Sequence, residues 1–172
     1  MPTLHLLRHA KSSWDSPTLH DHDRPLAPRG VRACELISVY LRDEEIAPEL
    51  VLCSTAARTR ETLAGVEGAF AVRPRVEFRA GIYEASRKTL SSIVRGLPAD
   101  VDVAMLIGHQ PGIGALALDL AGSGERLGDL GVKFPTAALA TLELDGGWAA
   151  AEPGSAVLAR FVKPKELKPR LT

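Results

Sequence analysis

At 172 residues, with 45% hydrophobic and 24% charged side chains, the chain is long enough for one domain with a substantial core and has an ordinary soluble globular make-up. Its 21 basic residues are balanced by 21 acidic ones, which excludes a broad electrostatic footprint for nucleic acid or an anionic membrane. No stretch approaches the roughly 18 apolar residues of a membrane span, so any anion chemistry must be local.

The N-terminus runs straight into a short apolar run, Leu4-His5-Leu6-Leu7, without the order of a signal peptide, and a cytoplasmic location is expected. The run lacks an amphipathic period and breaks at Arg8-His9-Ala10-Lys11-Ser12, as a buried parallel strand does where a site begins. Residues 14–28, with Asp15, Pro17, Asp21, Asp23, Pro25 and Pro28, read as a loop lying over that site. Pro28 and Gly30 precede a helical pattern of Val31, Cys34, Ile37 and Leu41, a helix packed on a sheet.

Leu50-Val51-Leu52-Cys53 is a second buried strand, broken at Ser54-Thr55, whose hydroxyls can cap the next helix. That helix, from Ala56 to about Phe70, buries Leu63, Val66 and Phe70 and carries Arg58 in its first turn. A cation there opposes the helix dipole by roughly 0.3 to 1 kcal/mol unless an anion lies beside it. Val76-Glu77-Phe78 is a third strand, and Ser86 caps a helix with a stripe of Leu90, Ile93, Val94 and Leu97.

Val101 to Ile107 is the most strand-like run, and it ends in Gly108-His109-Gln110-Pro111-Gly112 before a small apolar helix to about Ala121. Residues 122–135 look irregular, two strands follow within residues 136–144 and 156–162, and residues 163–172 read as a basic tail. Strands alternating with helices, without internal repeats, imply a single domain over residues 1–172, a three-layer α/β/α sandwich with a mostly parallel central sheet. Cys34 and Cys53 lack metal-type spacing and are expected as buried free thiols; no metal and no cofactor is expected.

In an open α/β sheet the carboxyl ends of strands share one edge, where sites form. Three ends here deliver Arg8 and His9, then Ser54 to Arg58, then His109. Two arginines and two histidines gathered at one edge repel each other and lose hydration unless an anion joins them. A phosphate fits, because each guanidinium can grip two of its oxygens, and a histidine in line with phosphorus can act as nucleophile. His5 is expected to be a strand histidine, and His20 and His22 solvated loop residues. Lys11 is a candidate third phosphate cation, and Arg24 can pair with Asp21 or Asp23 to hold the loop.

Leu7-Arg8-His9-Ala10, the segment Ser54-Thr55-Ala56-Ala57-Arg58-Thr59-Arg60-Glu61-Thr62 and Gly108-His109 resemble, in the same order, the histidine phosphatase superfamily that includes the cofactor-dependent phosphoglycerate mutases. Lys11-Ser12, Asp23-Arg24-Pro25-Leu26, Gln110-Pro111-Gly112 and Phe134-Pro135-Thr136 are similar to the SixA-type phosphohistidine phosphatases. The resemblance implies a phosphoglycerate mutase-like fold, His9 as the nucleophile, and Arg8, Arg58 and His109 as the phosphate pocket. The family's usual glycine after Arg-His is Ala10 here, a change that costs little unless the backbone needs positive φ.

Mutases and many phosphomonoesterases of the superfamily place a carboxylate just after the third strand to protonate an alkoxide leaving group. Spacing puts Ala80 there, and Glu84, four residues on, is the possible acid, with Asp21 and Asp23 able to swing in. The function expected is therefore metal-independent hydrolysis of phosphohistidine on a protein. The alternatives are a small-metabolite phosphomonoesterase acting on a phosphate ester and a non-catalytic phosphate- or phosphoprotein-binding module.

Overall fold

Apolar side chains alternate between the two faces of each central strand, and this period of two builds the layers. The computed structural model describes residues 1–168. Its strands are β1 (Thr3–Arg8), β2 (Leu50–Ser54), β3 (Arg75–Arg79), β4 (Val103–Gly108), β5 (Ala121–Ser123), β6 (Leu139–Leu144) and β7 (Ala156–Val162). They form one sheet in the order β3-β2-β4-β1-β6-β7-β5. The pairs β3-β2, β2-β4, β4-β1 and β7-β5 are parallel, and β6 alone runs against its neighbours.

Leu4, Leu6, Leu50, Leu52, Ala104 and Leu106 face α3 (Arg87–Arg95), α4 (Gly112–Leu120) and α5 (Leu127–Val132). Leu7, Val51, Cys53, Met105 and Ile107 face α1 (Pro28–Asp43) and α2 (Ala57–Val66) on the other side. The three layers are those expected from the alternation of strands and helices. Continuous apolar runs in β1, β2 and β4 follow from burial on both faces, which parallel central strands require.

The register of β1 on β4 positions the site. Arg8 pairs with Gly108, so His9 and His109 leave adjacent strands at the same level, and His9 N–H donates to the Gly108 carbonyl at 3.1 Å. In β2, Cys53 pairs with Ile107, so Ser54 and the start of α2 arrive at the same edge. Gly30 lies in the first turn of α1 against the backbone of Lys11, where a Cβ would come within 2.2 Å of the Lys11 carbonyl oxygen. The absence of a side chain therefore lets α1 close over the segment leaving β1.

Ser86 caps α3 as expected, its hydroxyl accepting from Thr89 N–H. Four local expectations are corrected. Val31 is 49% exposed, and Gly30, Cys34, Ile37 and Leu41 make the buried face of α1. Neither Ser54 nor Thr55 caps α2; its N-cap is Ala56, and the Ser54 hydroxyl turns toward His109. The Gly-rich segment 122–135 contains most of β5 and all of α5. The beginning of the expected tail is docked: Glu166 pairs with Arg126 at 2.8 Å and Leu167 packs on the core beside α1. Residues 169–172 of that segment lie outside the described residues.

His5 is the expected strand histidine, and its Nδ1 meets Thr141 Oγ1 at 2.8 Å across the β1–β6 pair. Burial, aided by the charge of Arg160, pushes it down to about 4. A histidine depressed in the folded chain is protonated first in the unfolded one, so its contribution is full above pH 6.5 and is lost as pH falls toward 4. Unfolding free energies from denaturant titration should therefore fall as pH drops from 6.5 toward 4, by up to about 1.4 kcal/mol per pH unit for this residue, and His5→Gln should make that fall shallower. An unchanged pH slope in the variant would count against the assignment.

Candidate active site

The ends of β1, β2 and β4 close around a cleft of about 280 Å³ lined by Arg8, His9, Arg58, His109, Lys11 and Glu84, with Trp14, Asp21 and Arg24 from the loop above. Ala10 beside them is fully buried and does not adopt positive φ, so its methyl group replaces glycine without backbone strain. Its N–H donates to Thr62 Oγ1 of α2 at 3.0 Å, tying the strand end to the helix that carries Arg58.

His9 is 7% exposed, and its Nδ1 lies 2.7 Å from the Ala10 carbonyl. A carbonyl can only accept, so the ring proton sits on Nδ1 and Nε2 carries the lone pair. Burial, with Arg58, Arg8 and Arg24 nearby, outweighs the Ala10 bond and pushes His9 down to about 4. His109 lies with its ring centroid 5.3 Å from that of His9 and is pushed to about 3, by burial first and then by Arg58 and His9. Both imidazoles are thus neutral near pH 7.

Ser54 Oγ accepts from Ala56 N–H at 3.3 Å and lies 2.7 Å from His109 Nε2, so its own proton is available to that nitrogen. Among the described residues, the buried side-chain nitrogens and oxygens without a partner are Arg8 Nε, Arg58 Nε and His109 Nδ1. All three belong to this cleft. A buried donor left unsatisfied costs about 1–3 kcal/mol, so three in one place mark a surface arranged for an acceptor-rich group.

The anion that the helix dipole demanded beside Arg58 is Asp21. Arg58 Nη2 meets Asp21 Oδ2 at 3.0 Å and Arg58 Nη1 donates to the Asp21 carbonyl at 2.8 Å. Tyr83 Oη–H donates to the same carboxylate, and Arg24 reaches its other oxygen. The Tyr83 bond above all, then Arg58, holds Asp21 down at about 2, so it is ionised and is no proton donor near neutrality. Arg24 also donates to Ser12 Oγ and the Ser13 carbonyl, which is the loop-holding role expected of it, and its guanidinium lies 3.5 Å from the Trp14 ring centroid.

Other expectations divide. Glu84 does line the cleft, at an exposed position with φ of 50°, while Ala80 begins a short helical turn after β3. Lys11 lines the cleft from an exposed position. His22 is not simply solvated: its Nε2 meets Thr55 Oγ1 at 2.8 Å and its ring meets Tyr83 edge-on. Tyr83 had no role in the sequence reading, and the Ser54 hydroxyl was expected only as a helix cap, not as a partner of His109. The dipole misfit at Arg58 was the available signal for Asp21, because the loop before α1 is rich in carboxylates; nothing in residue order pointed to Tyr83. Among the described residues no group of three or more His, Cys, Asp or Glu could hold a metal ion, and no helix is long and apolar enough to cross a membrane.

Two arginines, two neutral histidines and unpartnered N–H groups around one small cleft define a phosphoryl-handling site on an α/β sheet. Residues 4–87 match the model of the histidine phosphatase superfamily (branch 1). The candidate phosphohistidine phosphatase SixA of Nakamurella multipartitia is 32% identical, superposes with a TM-score of 0.81, and is covered over 96% of its chain by 95% of this one. Its counterpart from Agrobacterium tumefaciens is also 32% identical, with a TM-score of 0.82 over 95% of this chain and 99% of that one. An uncharacterised protein of Mycobacterium leprae is 38% identical, with 92% of this chain aligned to the whole of that protein. The chain belongs to the histidine phosphatase superfamily, in its SixA-type group, and has the phosphoglycerate mutase-like fold; it is a phosphatase.

Arg58→Lys keeps the charge but loses the planar fork. It should lower kcat/KM by about a hundred- to a thousand-fold, the usual cost of a lost transition-state donor, with a smaller effect on thermal stability. Near-normal turnover would place Arg58 outside the phosphate pocket.

Proposed function

We propose that the protein hydrolyses phosphohistidine through a covalent phospho-His9 intermediate. The observation that carries this reading is the His9 ring, fixed through Nδ1 and presenting a neutral Nε2 beside three unpartnered donors. Nε2 attacks phosphorus, the bond from phosphorus to the substrate nitrogen breaks, and water then releases phosphate from His9. Arg8, Arg58 and the Nδ1 proton of His109 grip the oxygens on which charge gathers during both transfers. Lys11 adds a third cation at the rim. Low intrinsic proton affinity is what His9 needs, because a histidine already protonated has no lone pair to offer.

The leaving group supports the phosphohistidine reading. An imidazole that carries a proton on its far nitrogen departs neutral, whereas an alkoxide needs a proton in the transition state. The position after β3 that would hold such an acid is Ala80, and Asp21 is held ionised. A second reading, a phosphomonoesterase, is favoured by one observation: Glu84 stands on the wall of the cleft. A non-catalytic binding module would have no use for a nucleophile poised in this way.

Rapid quenching with phosphorylated substrate should trap an acid-labile, base-stable adduct on the protein that His9→Ala lacks; normal labelling of that variant would exclude His9 as nucleophile. Turnover should persist after treatment with a chelator.

General acid assistance is typically worth about a hundred- to ten-thousand-fold, so phosphohistidine should be preferred over an alkyl phosphate by a factor of that order. Glu84→Gln should leave phosphohistidine turnover nearly unchanged. Should the wild type cleave alkyl phosphates equally fast, and Glu84→Gln remove that activity alone, Glu84 is the acid and the phosphomonoesterase reading replaces this one.

A further inference from the structure

Beside the catalytic cleft lies a second groove of about 400 Å³, and Lys11 and Thr136 line both. The groove is walled by Arg29 from α1, Lys133 following α5, and Lys163 and Lys165 from the docked C-terminal segment. With Lys11 these are five cations, and no described residue lining the groove is acidic. The chain as a whole has equal numbers of basic and acidic residues, so this is a local segregation of charge.

Basic side chains elsewhere are often neutralised in place. Arg58 and Arg24 meet Asp21, Arg75 and Arg79 meet Glu77, Arg87 meets Asp119, and Arg160 meets Glu44. Among the described residues none of the five groove cations forms an ion pair. Glu166, the carboxylate whose field Lys163 feels, is engaged by Arg126. Like charges collected in one concavity repel, and a low-dielectric wall focuses their potential, so such a groove concentrates anionic partners. Val132, 85% exposed, stands among the cations and adds an apolar contact.

The catalytic cleft, at about 280 Å³, has room for a phosphoryl group and the side chain that bears it. A small phosphate ester would be held there without reaching past Lys11. A protein substrate would not, because the chain flanking its phosphorylated residue must cross the rim. We propose that the groove docks an acidic segment of the phosphoprotein substrate, next to the phosphorylated side chain that enters the cleft. This deepens the phosphohistidine reading above and rests on it.

The test compares two phosphohistidine peptides of equal length, one flanked by glutamates and one by glutamines, on the wild type and on Arg29→Ser/Lys133→Ser/Lys165→Ser. Lys11, which lines the cleft, stays intact. The wild type should favour the acidic peptide by about tenfold in kcat/KM, through KM, and added salt should erase the preference. The triple variant should lose the preference while hydrolysing an aryl phosphate at the wild-type rate, which also reports that it is folded. Equal rates for the two peptides on the wild type, or a preference that survives in the variant, overturn the proposal.

A second arm is independent of which phosphoryl bond is cleaved. The fluorescently labelled acidic peptide without phosphate should bind the wild type more tightly than the variant, by anisotropy. Such binding without phosphohistidine turnover sinks the catalytic reading and keeps the groove. Turnover without binding or preference sinks the groove and keeps the catalytic reading. Binding of tripolyphosphate with no binding of the acidic peptide makes the groove a site for small polyanions, and the proposal fails.

Discussion

The parallel pairing of β1 with β4 is the constraint on which the rest depends. Because Arg8 lies opposite Gly108, the next residue on each strand is a histidine, and the two rings are set 5.3 Å apart by backbone hydrogen bonds rather than by any attraction between them. The neighbouring pairing of β2 with β4 then brings Ser54 and the first turn of α2 to the same edge. Both pairings are held by cores on two faces of the sheet, so a one-residue slip would turn every buried side chain of β1 to the wrong layer. The geometry of the site thus inherits the rigidity of the core.

That geometry places positive charge where water is scarce, and the electrostatics follow. Burial disfavours the charged form of both histidines, and the neighbouring charges of Arg58 and Arg8 add to the effect, so both remain neutral. Neutrality turns His9 from a third repelling cation into a lone-pair donor. Asp21, fastened by Tyr83 and Arg24, supplies a fixed counter-charge to Arg58 from the loop over the cleft. The same carboxylate therefore orients Arg58 and ties down the loop, while leaving Arg58 Nε without a partner.

Charge is distributed differently on either side of Lys11. Toward the sheet it is enclosed, with Arg58 and Arg24 paired to Asp21; toward the C-terminal segment it is exposed and, among the described residues, forms no ion pair. Docking of Glu166 on Arg126 holds that segment against the body of the protein and brings Lys163 and Lys165 alongside Arg29 and Lys133. Enclosed charge suits recognition of a transferred group, and exposed charge suits recognition of what carries it.

The sequence by itself determined the layered architecture, the three strand ends and the four residues Arg8, His9, Arg58 and His109, because continuous apolar runs that break into charge are local signals. It also required an anion near Arg58, since the dipole of a helix is a property of its own backbone. What only the tertiary structure decided was which anion answers that need, and that Tyr83 fastens it, because Asp21, Arg58 and Tyr83 come from three separated segments. The same holds for the tautomer of His9, set by a carbonyl at 2.7 Å, and for the five-cation groove, whose members are spread from Lys11 to Lys165. Short elements such as β5 and α5 escaped the sequence reading because tertiary packing, not a periodic pattern, stabilises them.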